Sequence, residues 1–202
     1  PQDLSFHPQT HSEVRLGNGN TIREFVTIHR GTGEGTVTVV GDGCYLMTGC
    51  HLGHNVRLGN KVVIANNCLL GGYVEVGDGA VLGGGSVFHQ FLRVGSLSMI
   101  RGGTRCVKDI PPYVLVFGNN LLSGINSVGL RRWGWSSEAR MEIKRAFRLL
   151  FWNHLNVSQA LEKSKETCWS ATAAAFFDFI ANSKRGICSG KRGGKPATWE
   201  DC

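Results

Sequence analysis

No apolar run of 18 or more residues occurs in this 202-residue chain, so no segment reads as a membrane-spanning helix. No basic-then-apolar leader follows Pro1, and no export signal is expected; the missing initiator Met creates the expectation of upstream sequence. Cysteine occurs in an odd number, 7, and never as CxxC. That argues against a disulfide framework or a zinc ribbon and favours a reducing compartment. Proline (5) and aromatics (9%) are sparse, whereas glycine reaches 28. The glycines lack collagen's every-third period, and a chain with 42% hydrophobic residues is no flexible linker. Acidic residues are outnumbered, with a formal net charge of +7, and the imbalance is local. Residues 1–129 carry 9 Lys+Arg against 8 Asp+Glu, while residues 130–202 carry 13 against 7. A basic C-terminal face suits nucleic acid, anionic lipid or an acidic protein; by itself it is a solvated surface.

What is present is a repeat. Every sixth residue from Leu16 to Cys106 is apolar, with Glu34 the one exception. Four residues after each comes a small or β-branched residue, as at Cys44, Cys50, Val56, Val62, Cys68 and Val74. Glycine dominates one residue after each, as at Gly41, Gly53, Gly59, Gly71, Gly77, Gly83 and Gly95. A period of six fits a short strand followed by a turn, with one aliphatic side chain pointing inward each time. Glycine in the turn is expected to supply positive φ. This pattern resembles the hexapeptide acyltransferase superfamily, and the resemblance implies a left-handed parallel β-helix in which three hexads make one triangular coil. Residues 32–36, with their glycines and Glu34, read as a loop extruded from a coil. Cys44, Cys50 and Cys68 fall on small inward positions and read as core filler.

The repeat fades after Cys106, and the two prolines of Asp109-Ile-Pro-Pro-Tyr are expected to end it, because proline cannot donate to a ladder. Helical patterns follow. Ile143, Phe147 and Leu150 are spaced for one helix face after the cap candidates Ser136 and Ser137, and residues 174–180 make a second apolar helix. The expected organisation is a β-helix over residues 1–118, a helical domain over 119–188 and a flexible basic tail over 189–202.

Coil geometry turns spacing into proximity. His54, Gly72 and Gln90 are successive members of an 18-residue column, with Tyr73 and His89 beside it and His51 three residues before His54. Outward histidines on a glycine-lined corner are not needed for packing. Three readings are open: plain surface histidines, a metal site, or a general base. No carboxylate or third histidine stands in phase to support a metal, and none is expected, nor is any cofactor. A sugar hydroxyl is too weak an acid to attack a thioester unaided, and imidazole is suited to take its proton near neutral pH. The Gly72 N–H, one coil above His54, is a candidate oxyanion donor.

At these residues the chain resembles the UDP-N-acetylglucosamine O-acyltransferases that begin lipid A synthesis. The matching runs are Pro1-Gln2-Asp3-Leu4, Ile22-Arg23-Glu24, Thr27-Ile28-His29-Arg30-Gly31, His51-Leu52-Gly53-His54, His89-Gln90-Phe91, Pro111-Pro112-Tyr113 and Gly129-Leu130-Arg131-Arg132, with Phe176-Phe177-Asp178-Phe179 and Arg185-Gly186 in the tail. The likeness runs from Pro1 to about Gly186. It implies a cytoplasmic homotrimer with active sites in the clefts between subunits. It also implies a 3-hydroxyacyl donor carried on acyl carrier protein, an acidic partner suited to the basic tail; no nucleic acid is expected. By this resemblance His54 is the general base and Gly72 the oxyanion donor. Gln2, Asp3, His51, Asn55, Tyr73, His89, Gln90, Asn126 and Arg132 then fall where the family contacts nucleotide sugar, pantetheine or acyl chain. Gly102 aligns with the acyl-chain ruler.

The departures are specific. Asn55 stands where the family has an aspartate beside the base, Tyr73 replaces a histidine, Ser5 a lysine, Val128 a glutamate and Trp133 the second of two arginines. The family's N-terminal coils have no counterpart here. Two other readings accompany the main one: a hexapeptide acyltransferase using acetyl coenzyme A on a small acceptor, and a degenerate, non-catalytic trimeric paralogue. Whether oxygen or nitrogen is acylated, and how long the acyl chain is, do not follow from the sequence.

Overall fold

The computed structural model describes residues 1–190. Short strands repeat along the chain and sort into three sheets, the faces of a triangular, left-handed parallel β-helix. The first face stacks Glu13–Leu16, Val37–Val40, Arg57–Leu58, Glu75–Val76 and Arg93–Val94. The second carries Thr21–Ile22, Tyr45–Leu46, Val63–Ile64, Val81–Leu82, Met99–Ile100 and Val114–Phe117. Thr27–Ile28, His51–Leu52, Leu69–Leu70, Val87–Phe88 and Arg105–Cys106 form the third. Residues 18 apart pair, as in Tyr45 with Val63 and His51 with Leu69. Between the first two coils the offset is 24, as in Thr27 with His51. The six extra residues are the expected extrusion, a tight loop in which the Thr36 hydroxyl donates to the Gly33 carbonyl at 2.7 Å and accepts from its N–H at 3.0 Å.

In each two-residue strand the second side chain points inward. Leu46, Leu52, Ile64, Leu70, Leu82 and Ile100 are fully buried, and so are the filler cysteines Cys50 and Cys68. In the first coil, by contrast, Leu16 and Ile22 are 50% and 42% exposed. The outward positions differ by face: Arg57, Glu75 and Arg93 on the first, Tyr45, Val63, Val81, Met99 and Leu115 on the second, and Thr27, His51, Leu69, Val87 and Arg105 on the third.

The glycines after the inward positions have a different reason from the one expected. Positive φ falls two residues later, at every sixth residue from Gly43 to Gly103, where Asn55, Lys61, Asn67, Tyr73, Phe91 and Leu97 also adopt it. The Gly53 and Gly83 positions are instead places where the next coil leaves no room for a Cβ. One at Gly53 would lie 2.8 Å from the Gly72 nitrogen, and one at Gly83 would lie 2.6 Å from the Ile100 carbonyl oxygen.

The two prolines do not end the ladder, which continues to Val114–Phe117, inside the expected 1–118 boundary. Ile110 and Arg93 exchange a ladder bond, Ile110 N–H to Arg93 O at 2.9 Å, and Leu115 pairs with Met99. At the position after each inward residue the backbone N–H donates to the coil above, as from Gly95 to Ile110 O. Pro111 and Pro112 lie in the last coil, with no further coil to receive a bond, so their missing donors cost nothing. An antiparallel strand, Leu121–Ile125, closes the second face, and Ser189–Gly190 pairs with it, so these two residues are strand rather than tail. The remainder of the expected tail, residues 191–202, lies outside the described residues.

Helix α1 (Ser127–Arg132) precedes α2 (Ser137–Phe151), α3 (Val157–Ser164) and α4 (Ala171–Ala181). Ser136 caps α2, which buries Ile143, Ala146, Phe147 and Leu150. The Asp109 carboxylate, almost fully buried, accepts from the Arg93 N–H (3.0 Å) and the Ser183 hydroxyl (2.8 Å), tying the helical region to the prism. Among the described residues no helix is long and apolar enough to cross a membrane.

Gly83→Ala should therefore destabilise far more than Gly103→Ala. The first overpacks a backbone ladder, at about 3 kcal/mol. The second has open space around φ +70° and costs only the left-handed conformation, ~1 kcal/mol. Urea midpoints of the two variants check this; equal midpoints would remove the close-approach explanation.

Candidate functional site

Three columns meet at the corner between the third and first faces. Gly53, Gly71 and His89 form one, His54, Gly72 and Gln90 the next, and Asn55, Tyr73 and Phe91 the last. The Tyr73 N–H donates to His54 O and the Phe91 N–H to Gly72 O, both at 2.9 Å. Gly72 is needed here for space, because a Cβ would fall 2.5 Å from the His54 imidazole. Among the described residues the Gly72 N–H donates to no protein acceptor.

The hydrogen bonds set the histidine tautomers. Asn55 is 7% exposed, and its Oδ1 accepts from the Thr32 N–H at 3.2 Å. A backbone N–H can only donate, so this atom is the amide oxygen, and His54 Nδ1, 3.0 Å from it, carries the proton. Nε2 of His54 is left with a lone pair and no protein partner among the described residues. The same logic applies to His51. Gln2 Oε1 accepts from the His54 N–H (3.4 Å), turning Gln2 Nε2 toward His51 Nε2 (2.9 Å). His51 Nδ1 then donates to Thr27 Oγ1 at 2.8 Å. The Asp3 carboxylate accepts from the Ser5 N–H and hydroxyl, which hold it below its ordinary range, with the nearby His54 adding to the effect. His89 is exposed and meets Arg185 Nη2 at 3.3 Å.

Not all expected residues gather here. Arg132 and Asn126 lie at the corner between the first and second faces, in a cavity of about 550 Å³ walled by Lys61, Leu97, Val128 and Trp133. The Asn126 amide is engaged at both ends, accepting from the Gly129 N–H (3.0 Å) to cap α1 and donating to Leu97 O (2.8 Å). That fixes it as part of the cavity wall. Gly102 sits at the third corner, over Gly84. The expected site is thus spread over all three corners of one prism. Sequence reasoning missed Thr32, whose partner lies 23 positions away across the inserted loop. It also missed Lys61, whose Nζ stands 5.4 Å from the Trp133 ring centroid.

His29 and His51 pack with ring centroids 5.0 Å apart. Burial, above all, holds both imidazoles below their ordinary value of 6.5, and the neighbouring positive charges add to it. The unfolded chain therefore binds protons that the folded chain refuses. The stability contribution is full above about pH 6.5 and is lost as pH falls through the folded values. Urea midpoints should fall from about pH 7 to about pH 5, less steeply in His51→Gln. An identical slope in the variant would contradict the assignment.

Comparison with known proteins gives a consistent outcome. Residues 109–188 match the family model described as UDP-N-acetylglucosamine O-acyltransferase, domain 2, and residues 38–72 match that of the bacterial transferase hexapeptide. An acyl-[acyl-carrier-protein]–UDP-N-acetylglucosamine O-acyltransferase of Halorhodospira halophila is 46% identical over 179 residues, 87% of this chain and 69% of the relative. The solved UDP-N-acetylglucosamine acyltransferase of Bacteroides fragilis superposes with a TM-score of 0.88 at 42% identity, covering 93% of this chain and 74% of that one. That of Francisella novicida gives 0.88 at 34%, covering 96% and 71%. An 18-residue coil, a histidine under an unpartnered glycine N–H, and relatives matched over most of their length place this chain in the UDP-N-acetylglucosamine O-acyltransferase family.

Proposed function

We propose that the chain is an acyl-[acyl-carrier-protein]–UDP-N-acetylglucosamine O-acyltransferase, moving a 3-hydroxyacyl group to the sugar 3-hydroxyl in the first step of lipid A synthesis. The observation that carries this reading is the His54 tautomer: Nδ1–H on Asn55 Oδ1 and a free lone pair at Nε2, on a ring packed against Gly72. His54 Nε2 takes the hydroxyl proton as the oxygen attacks the thioester carbonyl. The Gly72 N–H donates to the oxyanion of the tetrahedral intermediate. Collapse expels the pantetheine thiolate, which takes the proton from the imidazolium. Gln2, Asp3, His51, Tyr73, His89 and Gln90 line the same corner as sugar and acyl contacts. No cofactor is needed.

The other half of the proposed site comes from a neighbouring copy in a homotrimer. Arg132 and Asn126 stand one corner away from His54, and Gly102, the proposed ruler, stands at the third. The apolar outward column of the second face, Val63, Val81, Met99 and Leu115, supports burial between copies, whereas the charged first face suits solvent. The 13 Lys+Arg against 7 Asp+Glu of residues 130–202 suit an acidic carrier protein. Both substrates belong to the cytoplasm.

Asn55 favours one refinement. Its amide orients Nδ1–H but carries no charge to offset the imidazolium. In a serine-protease triad the Asp-to-Asn change costs about 10⁴ in kcat, largely through the wrong tautomer. Here the tautomer is right, so the deficit should be smaller. His54→Ala should lose roughly 10²–10⁴-fold in kcat with the fold intact. Asn55→Asp should raise kcat with little change in KM. Turnover with an acyl carrier protein donor and UDP-N-acetylglucosamine checks both. Activity retained in His54→Ala would move the chemistry elsewhere, and nucleotide-sugar binding without turnover in either form of residue 55 would favour the inactive paralogue.

A further inference from the structure

The base is held by a chain of hydrogen bonds that starts in the inserted loop. Thr32 presents two donors to one atom, its N–H at 3.2 Å and its hydroxyl at 3.1 Å from Asn55 Oδ1. The Thr32 Oγ1 also lies 3.2 Å from the Tyr73 hydroxyl. A threonine hydroxyl has a single hydrogen, so when it donates to Asn55 it accepts from Tyr73. The order is then Tyr73 O–H to Thr32 Oγ1, Thr32 O–H to Asn55 Oδ1, and His54 Nδ1–H to the same oxygen. Tyr73 is itself held in place, stacked on Phe91 (4.8 Å, 16°) and edge-on to His54 (5.2 Å, 87°).

A carboxylate at residue 55 would offer acceptors on both sides, and Nδ1–H would find one whichever way the group turned. An amide has one acceptor end and one donor end. Turned over, it would present N–H to Nδ1, move the imidazole proton to Nε2 and leave no base. Something outside the His54–Asn55 pair must therefore choose the orientation, and the insert supplies it. We propose that the Thr32 hydroxyl is a positioning group for the base, needed beside the Thr32 N–H to hold the Asn55 amide in the orientation that keeps His54 in its Nδ1–H tautomer, with Tyr73 directing that hydroxyl. This rests on the reading of His54 as the base, and it makes a demand that a carboxylate at residue 55 would not make.

The test compares Thr32→Val, which removes the hydroxyl and keeps the N–H, with Thr32→Ser, in both the Asn55 and Asn55→Asp backgrounds, with His54→Ala as reference. Thr32→Val should lower kcat roughly three- to ten-fold, the worth of one neutral hydrogen bond, at unchanged KM, and Thr32→Ser should restore it. In the Asn55→Asp background Thr32→Val should be nearly silent. ¹⁵N spectra of histidine-labelled protein, with His54 assigned by its loss in His54→Ala, should show an Nε2–H form growing in Thr32→Val and absent in Thr32→Ser. That readout needs no turnover. An unchanged tautomer in Thr32→Val overturns the proposal, as does an equal loss of kcat in both backgrounds. If His54→Ala is inactive while Thr32→Val matches the parent, the proposal fails and the base stands. Activity in His54→Ala removes the base reading itself.

Discussion

Successive coils approach until backbone meets backbone, and that contact sets the rest of the molecule. At Gly53 a Cβ would lie 2.8 Å from the Gly72 nitrogen, and at Gly71 it would lie 2.8 Å from the Gln90 nitrogen. Such contact is possible only if the ladder keeps its register, which the N–H to O=C bonds from each coil to the next enforce. Register then places residues 18 apart on one corner, and a corner can hold a histidine flat against the glycine of the coil above. At the equivalent position on another corner the Asp42 and Asn60 N–H groups find a side-chain oxygen one coil up. Among the described residues the Gly72 N–H finds no protein acceptor. In the proposed chemistry that orphaned donor and the His54 lone pair become an oxyanion partner and a base.

A triangular prism has three corners, and this one spreads the expected residues over all of them. Arg132, on α1, lines the cavity at the corner between the first and second faces, whereas His54 stands at the corner between the third and first. The outward columns add the second constraint: aliphatic side chains on the second face and charges on the first. A face of Val63, Val81 and Met99 gains from burial, which the neighbouring copy of the proposed trimer would supply while completing the proposed site.

Much of this was legible in the repeat, because a hexad states which side chain is inward without any long-range information. The inward column, the filler cysteines, the extruded loop and the corner of His54, Gly72 and Gln90 all followed from it. The purpose of the glycines did not, since crowding by the next coil and freedom of φ favour the same residue; residues such as Asn55, Lys61, Tyr73 and Phe91 in the left-handed region separate the two. Nor did the effect of Pro111 and Pro112, because a proline is costly only where a further coil awaits its N–H. Helix α3 was missed although Asn156 and Gln159 form a capping box, a signal present at residue level. Thr32 was out of reach: nothing local marks it, and its partner lies across the insert.

The central claim is that each site takes His54 from one copy and Arg132 from its neighbour. Co-expression of His54→Ala and Arg132→Ala chains, with mixed trimers isolated by two tags, tests it most directly. Each variant alone should have little activity, but every mixed trimer would contain one intact interface in three. The isolated mixed trimers should therefore recover roughly a third of the wild-type rate, and an unseparated one-to-one mixture roughly a quarter. Mixed trimers as inactive as either parent would contradict a site shared between chains.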